Sequence, residues 1–342
     1  MNKIFVFCPG DIVSGGVNSL HLLCKSLINN GFNAGMYYIN PKKEIIEGDI
    51  VKSFNVPVFA KPDDCPQHTV LVPETMVKYL SEYQQAKKAV YWLSTIFFFK
   101  NPPFRFPFSI KLFRKVISLP LYDYRKNSIS FRVKIFLQKW NKKKSGIWDS
   151  DVWHIANSYY IASFLNDFGI KKVSVLHNPV RNEFYDHQIN HKREKTILVG
   201  PKTSKRLVYQ IKQRFREYKV IRVKHMKPDE VFSLFRKSLL FVELGNANRD
   251  RTIREAVLLG CIVLVSNTGG NKNYLDTPLP DYYKIIPSNN GYKKMLFEKI
   301  QDITDNYAVH RANLDGYRAF LVEEKQQFEA RVKDIFGRIM NQ

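Results

Sequence analysis

Acidic residues and cysteines are scarce in this chain of 342 residues. It has 31 aspartates and glutamates against 54 lysines and arginines, a formal net charge of +23. An excess of this size predicts an anionic partner, which can be nucleic acid, an acidic membrane face or a phosphorylated substrate. The four cysteines are scattered and lack paired spacing, so we expect neither a disulfide framework nor a zinc site. We expect instead that the protein works in a reducing compartment.

Long apolar runs are missing as well. The opening MNKIFVFCPGD is too short an apolar run for a signal peptide, and no run reaches the roughly 18 to 20 residues of a membrane span. We therefore expect a cytoplasmic protein. Hydrophobic content of 44% and the length of the chain favour a folded protein of two domains.

The second half of the chain contains a strand, loop, helix and strand in series. An apolar run over Ser238–Leu244 precedes a loop rich in arginine, and the spacing predicts a helix over Thr252–Leu259 that stops at Gly260. A second apolar run covers Cys261–Val265. In open α/β sheets, ligands bind beyond the carboxyl ends of strands, where loops meet helix N-termini. The loop is therefore a candidate ligand site.

The charged residues at that point are Arg249, Asp250, Arg251, Arg254 and Glu255. Arginine forks together with free helix amides suit a diphosphate, and a glutamate suits a pair of sugar hydroxyls. The chemistry of the loop thus suits a ligand that carries a diphosphate and sugar hydroxyls.

The same stretch resembles the donor-binding segment of glycosyltransferases with two Rossmann-like domains, the GT-B fold. The resemblance is carried by Glu255-Ala256, Gly260-Cys261, the run Ile262–Val265 and Thr268-Gly269-Gly270. Asp250-Arg251 ahead of Arg254-Glu255 is similar to some bacterial polysaccharide transferases. One position departs from the pattern, because Ala247 stands where the large retaining families have another glutamate. Retention or inversion at the sugar carbon stays open.

Two other segments resemble the same family. Gly15-Gly16 follows the first apolar run and opens a helix, as in the N-terminal domain of GT-B enzymes. Asn157–Val180, with its Asn-Ser, glycine and Asn-Pro-Val turns, resembles the end of that domain. Lys202 and Lys205 lie at the first strand-to-helix turn of the second α/β series, where lysines suit phosphate.

The resemblance implies an α/β protein with two Rossmann-like domains that face each other across a cleft. We expect the first domain over residues 1–180, a linker over 181–195, a nucleotide-sugar domain over 196–310, and a C-terminal helix over 311–342 that crosses back to the first domain. The periodicity predicts tail helices from about Asn290 to Ile303 and from His310 to Met340.

The chemistry of sugar transfer assigns roles to these residues. The expected donor ligands are Gly15, Gly16, Lys202, Lys205, Asp250, Arg251, Arg254, Glu255, Thr268, Gly269 and Gly270. We expect no metal and no cofactor, since GT-B enzymes commonly work without a metal. An inverting reaction needs a base. Asp11 and Glu74 both follow strands and are the candidates, while His21 and His177 are weaker ones.

The segment 100–144 is strongly basic and interleaved with aromatic residues. That composition is typical of a surface that lies on anionic lipid. We therefore expect a glycosyltransferase that acts on a growing cell-surface glycan of lipopolysaccharide, O-antigen or capsule type, bound peripherally to the inner face of the cytoplasmic membrane. The alternative is a basic nucleic-acid-binding protein, although no zinc finger, RNA-recognition signature or basic zipper is present.

Overall fold

The computed structural model describes residues 2–12, 14–46, 48–95, 150–167, 169–186, 192–245, 251–287 and 290–341. The basic segment 100–144 and Asp250 lie outside these ranges. By their contacts, the described residues form two units. The first comprises Met1–Asn178 and Gln327–Gln342, and the second comprises Pro179–Gln326.

The first unit is built on a six-stranded parallel sheet in the order β2-β1-β3-β4-β5-β6. Its strands are β1 (Lys3–Pro9), β2 (Ala34–Ile39), β3 (His68–Pro73), β4 (Lys87–Trp92), β5 (Val152–Ala156) and β6 (Val173–Val175). Most are continuous apolar runs, which is typical of parallel strands covered on both faces. The helices are α1 (Gly15–Asn29), α2 (Lys43–Ile46), α3 (Asp49–Lys52), a 3-10 helix (Glu74–Glu82) and α4 (Tyr159–Asp167).

The second unit has a five-stranded parallel sheet in the order β11-β10-β9-β7-β8. Its strands are β7 (Glu194–Val199), β8 (Lys219–Arg222), β9 (Ser238–Glu243), β10 (Ile262–Ser266) and β11 (Lys284–Ile285). Its helices are α5 (Lys205–Arg214), α6 (Pro228–Lys237), α7 (Arg251–Leu258), α8 (Tyr292–Asp305), α9 (Tyr307–Ala312) and the start of α10 (Asp315–Met340). Short 3-10 turns cover Asn182–Phe184, Gly269–Asn271 and Asp281–Tyr283. Two parallel, helix-covered sheets confirm the predicted pair of Rossmann-like folds.

The last helix begins in the second unit and ends in the first. Its second half contributes buried apolar side chains to the core beside α1, namely Phe328, Val332, Ile335, Phe336 and Ile339. Glu329 adds polar contacts there, since its Oε2 accepts hydrogen bonds from Ser26 Oγ and Asn30 Nδ2, each at 2.7 Å. No helix within the described ranges has both the length and the apolar character needed to cross a membrane.

The single tail helix predicted from His310 to Met340 is wrong. The structure has α9 and α10 instead, separated at Asn313 and Leu314. Leu314 is fully buried, and its N–H closes a turn on the carbonyl of Arg311 at 3.2 Å. Leu314 packs in the second core at the point where the two helices are separated, a tertiary contact that helical periodicity does not encode.

Arg193, just before β7, ties two helix ends together in the second unit. Its guanidinium donates to the carbonyls of Phe235 at 2.9 Å and Arg236 at 2.7 Å, and to that of Leu259 at 2.6 Å. These carbonyls belong to the carboxyl ends of α6 and α7, where helix carbonyls lack intrahelical partners and favour a cation. Arg193 therefore acts as a cap shared by both helices.

We expect Arg193→Met to lower the free energy of unfolding of the second unit by about 3 kcal/mol. The variant keeps the apolar stem but leaves several carbonyls without their donor, at a cost of about 1 to 3 kcal/mol for a buried one. Chemical denaturation measures the change. Arg214→Met, at the exposed end of α5, is the matched control and should cost less than about 1 kcal/mol. Equal losses in the two variants would contradict the shared cap.

Candidate functional site

In the first unit, the candidate residues lie at the carboxyl edge of the sheet. Asp11 comes shortly after β1, and Glu74 immediately after β3. Because β1, β3 and β4 are neighbours and parallel, the segments that follow them share one edge. The third of these segments begins at Leu93. Asp11 is exposed, whereas Glu74 is only 2% exposed.

Glu74 has an unusual electrostatic setting for a carboxylate. Burial raises its pKa from 4.5 to about 7, although backbone hydrogen bonds, including those from Leu93 and Ser94, oppose the shift. The N–H of Leu93 donates to Glu74 Oε2 at 2.9 Å. A carboxyl group that titrates near neutral pH can take up or release a proton under ordinary conditions.

The predicted glycine turn lies beside the same loop. Helix α1 begins at Gly15, and Ser14 caps it by accepting the N–H of Val17 at 3.3 Å. A Cβ placed on Gly16 would lie 3.5 Å from Leu93 Cδ1, an ordinary contact, and one on Gly15 would meet nothing within 4 Å. The structure thus brings both the start of α1 and the buried Glu74 next to Leu93.

The two histidines considered as bases are parts of the first core. His21 is fully buried, with Nδ1 2.8 Å from the carbonyl of Val17 and Nε2 2.7 Å from the hydroxyl of Tyr38. Burial lowers its pKa. His177 is 5% exposed and packs edge-on against Tyr159, with ring centroids 5.4 Å apart. Neither histidine presents an open face to a substrate.

In the second unit, the predicted donor residues fall on three adjacent strands. Lys202 and Lys205 follow β7, the helix α7 follows β9, and Thr268 to Gly270 follow β10. The order β10-β9-β7 places all three segments at one edge of the sheet. Both lysines are exposed, and Gly269 has a φ of 55° within the 3-10 turn that Thr268 precedes.

An ion pair opens helix α7. Arg251 Nε lies 3.1 Å from Glu255 Oε1, with side chains 35% and 5% exposed. Arg254 is also buried, at 4% exposure. The sequence placed these residues at the start of the helix, and the structure places the glutamate and the second arginine one turn inside it, where solvent barely reaches. Asp250 lies outside the described residues.

Sequence reasoning missed Glu243, the last residue of β9. Its side chain is 1% exposed, and its Oε1 accepts the N–H of Gly245 at 2.8 Å. The sequence signal that could have identified Glu243 is a single carboxylate at the end of an apolar strand, just before the loop and helix that resemble a donor-binding segment. In the part of the chain that the structure describes, no group of three or more His, Cys, Asp or Glu side chains could hold a metal ion.

Comparison with known proteins gives the fold a name. No protein-family model matches the chain, and no curated protein sequence does. Solved structures match over its whole length. HepE of Anabaena in complex with UDP and glucose is 13% identical, with 100% of both chains covered and a TM-score of 0.55.

Two further glucosyltransferases have the same architecture. The β-glucosyltransferase of phage T4, in complex with its UDP-glucose substrate, is 10% identical over 100% of both chains, with a TM-score of 0.54. An α-glucosyltransferase in complex with UDP and a 13-mer DNA is 12% identical over 99% of both chains, also with a TM-score of 0.54. Identities this low show a shared fold. The chain thus has the GT-B fold of nucleotide-sugar glycosyltransferases, which confirms the resemblance seen in the sequence.

Proposed function

We propose that this protein transfers a sugar from a nucleotide-sugar donor to a glycan acceptor. The observation that carries the proposal is the carboxyl edge of the second sheet. There the lysines after β7, the Arg251–Glu255 pair after β9 and the turn Thr268–Gly270 after β10 follow three adjacent strands of a fold that holds UDP in its structural neighbours.

The donor half of the reaction needs positive charge and oriented acceptors. The bond from the sugar C1 to the diphosphate oxygen breaks, and the diphosphate leaves with the electron pair. Lys202, Lys205 and Arg251 are the proposed groups that neutralise this charge, and Arg254 supports them from inside the helix. Glu255 is the proposed acceptor for donor hydroxyls, with its orientation fixed by Arg251 at 3.1 Å.

The acceptor half needs a group that takes the hydroxyl proton if configuration inverts. Asp11 and Glu74 are the two candidates at the edge of the first sheet. Asp11 is open to solvent, and Glu74 is buried with a pKa of about 7. A base works best when its pKa lies near the operating pH, which favours Glu74, whereas access favours Asp11.

We expect Glu74→Gln to abolish the rise of kcat/KM through pH 7 if Glu74 is the base, because the amide cannot accept the proton. The glutamine oxygen can still accept the Leu93 N–H. The contribution of the Glu74 carboxyl group to folding stability falls with rising pH, whereas the rate rises. Since the folded pKa is raised, the carboxyl group favours folding below pH 4.5 and loses that contribution as pH rises to about 7. Chemical denaturation of the parent and of Glu74→Gln between pH 4.5 and about 7 measures this loss of stability. Asp11→Asn is the matched variant for the pH profile of kcat/KM. A rise through pH 7 that persists in Glu74→Gln assigns the proton to another group.

The proposed acceptor is a cell-surface glycan of lipopolysaccharide, O-antigen or capsule type, carried on lipid at the inner face of the cytoplasmic membrane. The support is the composition of the segment 100–144, which lies outside the described residues and is known here only by its sequence. Its lysines, arginines and aromatic rings suit an anionic lipid surface. Each basic residue near such a surface adds about 1 kcal/mol of attraction.

A nucleic-acid acceptor is the second candidate. It is favoured by the net charge of +23 and by a structural neighbour in complex with DNA. The two acceptors predict that the protein binds to different anionic surfaces. Oligonucleotides present phosphates in a chain, and vesicles add an apolar interior for aromatic side chains.

Two measurements test the proposal. Donor hydrolysis with UDP-, GDP-, ADP-, dTDP- and CMP-sugars tests the reaction, and inactivity on the whole panel would sink it. Sedimentation with acidic vesicles, against an oligonucleotide at matched charge and salt, tests the acceptor surface. The glutamine variant changes Lys111, Arg114, Lys115, Lys142, Lys143 and Lys144. This variant should no longer sediment with acidic vesicles, and its rate of donor hydrolysis should be unchanged. A parent that prefers the oligonucleotide supports the nucleic-acid acceptor.

A further inference from the structure

We infer that Glu243 is a positioning residue of the donor site. Its carboxylate fixes Gly245, just after β9, against the turn after β7, and so holds Lys202 in place before any ligand binds. The inference rests on the proposed function, because it assigns Lys202 to the donor diphosphate.

The first contact is between Glu243 and Gly200, the residue that follows β7. The Gly200 N–H donates to the carbonyl of Val242 at 2.8 Å, so its backbone is held as an extension of the sheet. A Cβ placed on Gly200 would lie 1.8 Å from Glu243 Oε2 and 2.4 Å from its Cδ. The carboxylate therefore occupies the space that any side chain at position 200 would need.

The second contact joins the two loops through their backbones. Glu243 Oε1 accepts the Gly245 N–H at 2.8 Å and so sets the course of the chain as it leaves β9. A Cβ on Gly245 would lie 2.5 Å from both the Cβ and the carbonyl oxygen of Lys202. Only a glycine allows this approach, which seats the second loop directly on Lys202.

A third contact holds the β7 loop from the other side. Arg222, the last residue of β8, donates from Nη2 to the carbonyls of Pro201 and Thr203, each at 2.8 Å. These carbonyls flank Lys202, and the Lys202 side chain remains exposed. Three contacts, made from the two strands that flank β7, thus fix the backbone around the exposed residue Lys202.

The consequence concerns affinity. A loop that is already fixed loses little conformational freedom when a ligand binds, so preorganisation strengthens binding without adding a contact. Removing Glu243 should free both loops and weaken the hold on a diphosphate, although the carboxylate itself need not touch the donor. A glutamine keeps an oxygen for the Gly245 N–H and should preserve most of the effect.

The test measures UDP affinity of the full chain by titration calorimetry. We expect Glu243→Ala to weaken UDP binding about tenfold or more, and Glu243→Gln to stay within about threefold of the parent. Gly200→Ala should bind UDP as weakly as Glu243→Ala does, because the new methyl group displaces the Glu243 carboxylate. The double variant should recover thermal stability relative to Gly200→Ala, since the clash is gone, but not UDP affinity. The matched control is Glu194→Ala, an exposed carboxylate at the opposite end of β7.

Each outcome decides the inference. A lower unfolding temperature for Glu243→Ala with unchanged UDP affinity would make the residue structural only and overturn it. If Glu243→Gln binds UDP as weakly as Glu243→Ala, the negative charge of Glu243, and not its hydrogen bond to Gly245, controls UDP affinity, and the positioning role is overturned. If Glu243→Ala does not fold, Arg222→Met tests the same loop, and unchanged UDP affinity there overturns the inference. A parent that binds none of UDP, GDP, ADP, dTDP or CMP defeats the proposed function and the inference with it.

Discussion

Replacing Glu255 or Arg251 by alanine is expected to slow sugar transfer about a hundredfold while the protein stays folded. Both residues belong to the first turns of α7, at the carboxyl edge of the second sheet. The loss of one charged group that stabilises the transition state costs about 3 kcal/mol. Steady-state kcat/KM for transfer, with circular dichroism to check the fold, measures the effect.

The ion pair makes the two losses dependent on each other. Arg251 Nε is 3.1 Å from Glu255 Oε1, so removal of either partner already disturbs the other. We expect the double variant to resemble a single variant and not to show the product of both losses. The matched control is Glu298→Ala, which breaks the exposed pair of Lys294 and Glu298 on α8 and should leave turnover unchanged. Turnover near that of the parent in both single variants would place the donor site elsewhere.

Replacing Phe336 by alanine is expected to remove about 3 to 5 kcal/mol from the stability of the first unit. The ring is fully buried between α10 and α1 and meets Phe32 at a centroid distance of 6.4 Å. Alanine leaves a cavity in the core where the C-terminal helix packs with α1, which lies near the start of the chain. The measurement is urea denaturation.

A variant on the exposed face of the same helix provides the control. Lys333→Ala lies one turn before Phe336 and should change the stability by less than about 0.5 kcal/mol. If Phe336→Ala were equally mild, the second half of α10 would not belong to the first core. A chain that ends at Gln326 would lack all five buried side chains of that half-helix, and we expect its first unit to unfold at much lower urea.

Local structure was largely determined by the sequence alone. The apolar runs over Ser238–Leu244 and Cys261–Val265 predict β9 and β10, because a parallel strand covered on both faces must be apolar throughout. Gly260 was predicted to end its helix and has a φ of 88° there, a left-handed conformation that glycine adopts without a steric cost. The same reasoning predicts α1 and its stop at Gly31, with a φ of 82°.

Only the tertiary structure decided which groups meet. The carboxylate of Glu243 lies over Gly200, and the buried Glu74 binds the backbone beyond the end of another strand. Arg193 reaches carbonyls that are more than forty residues away along the chain. Such contacts depend on strand order and on loops that pack from different parts of the sequence, which hydrophobic periodicity does not encode. The sequence alone therefore determined where most of the strands and helices lie. Packing between distant segments decided where α9 and α10 are separated, which charges are buried and what holds them.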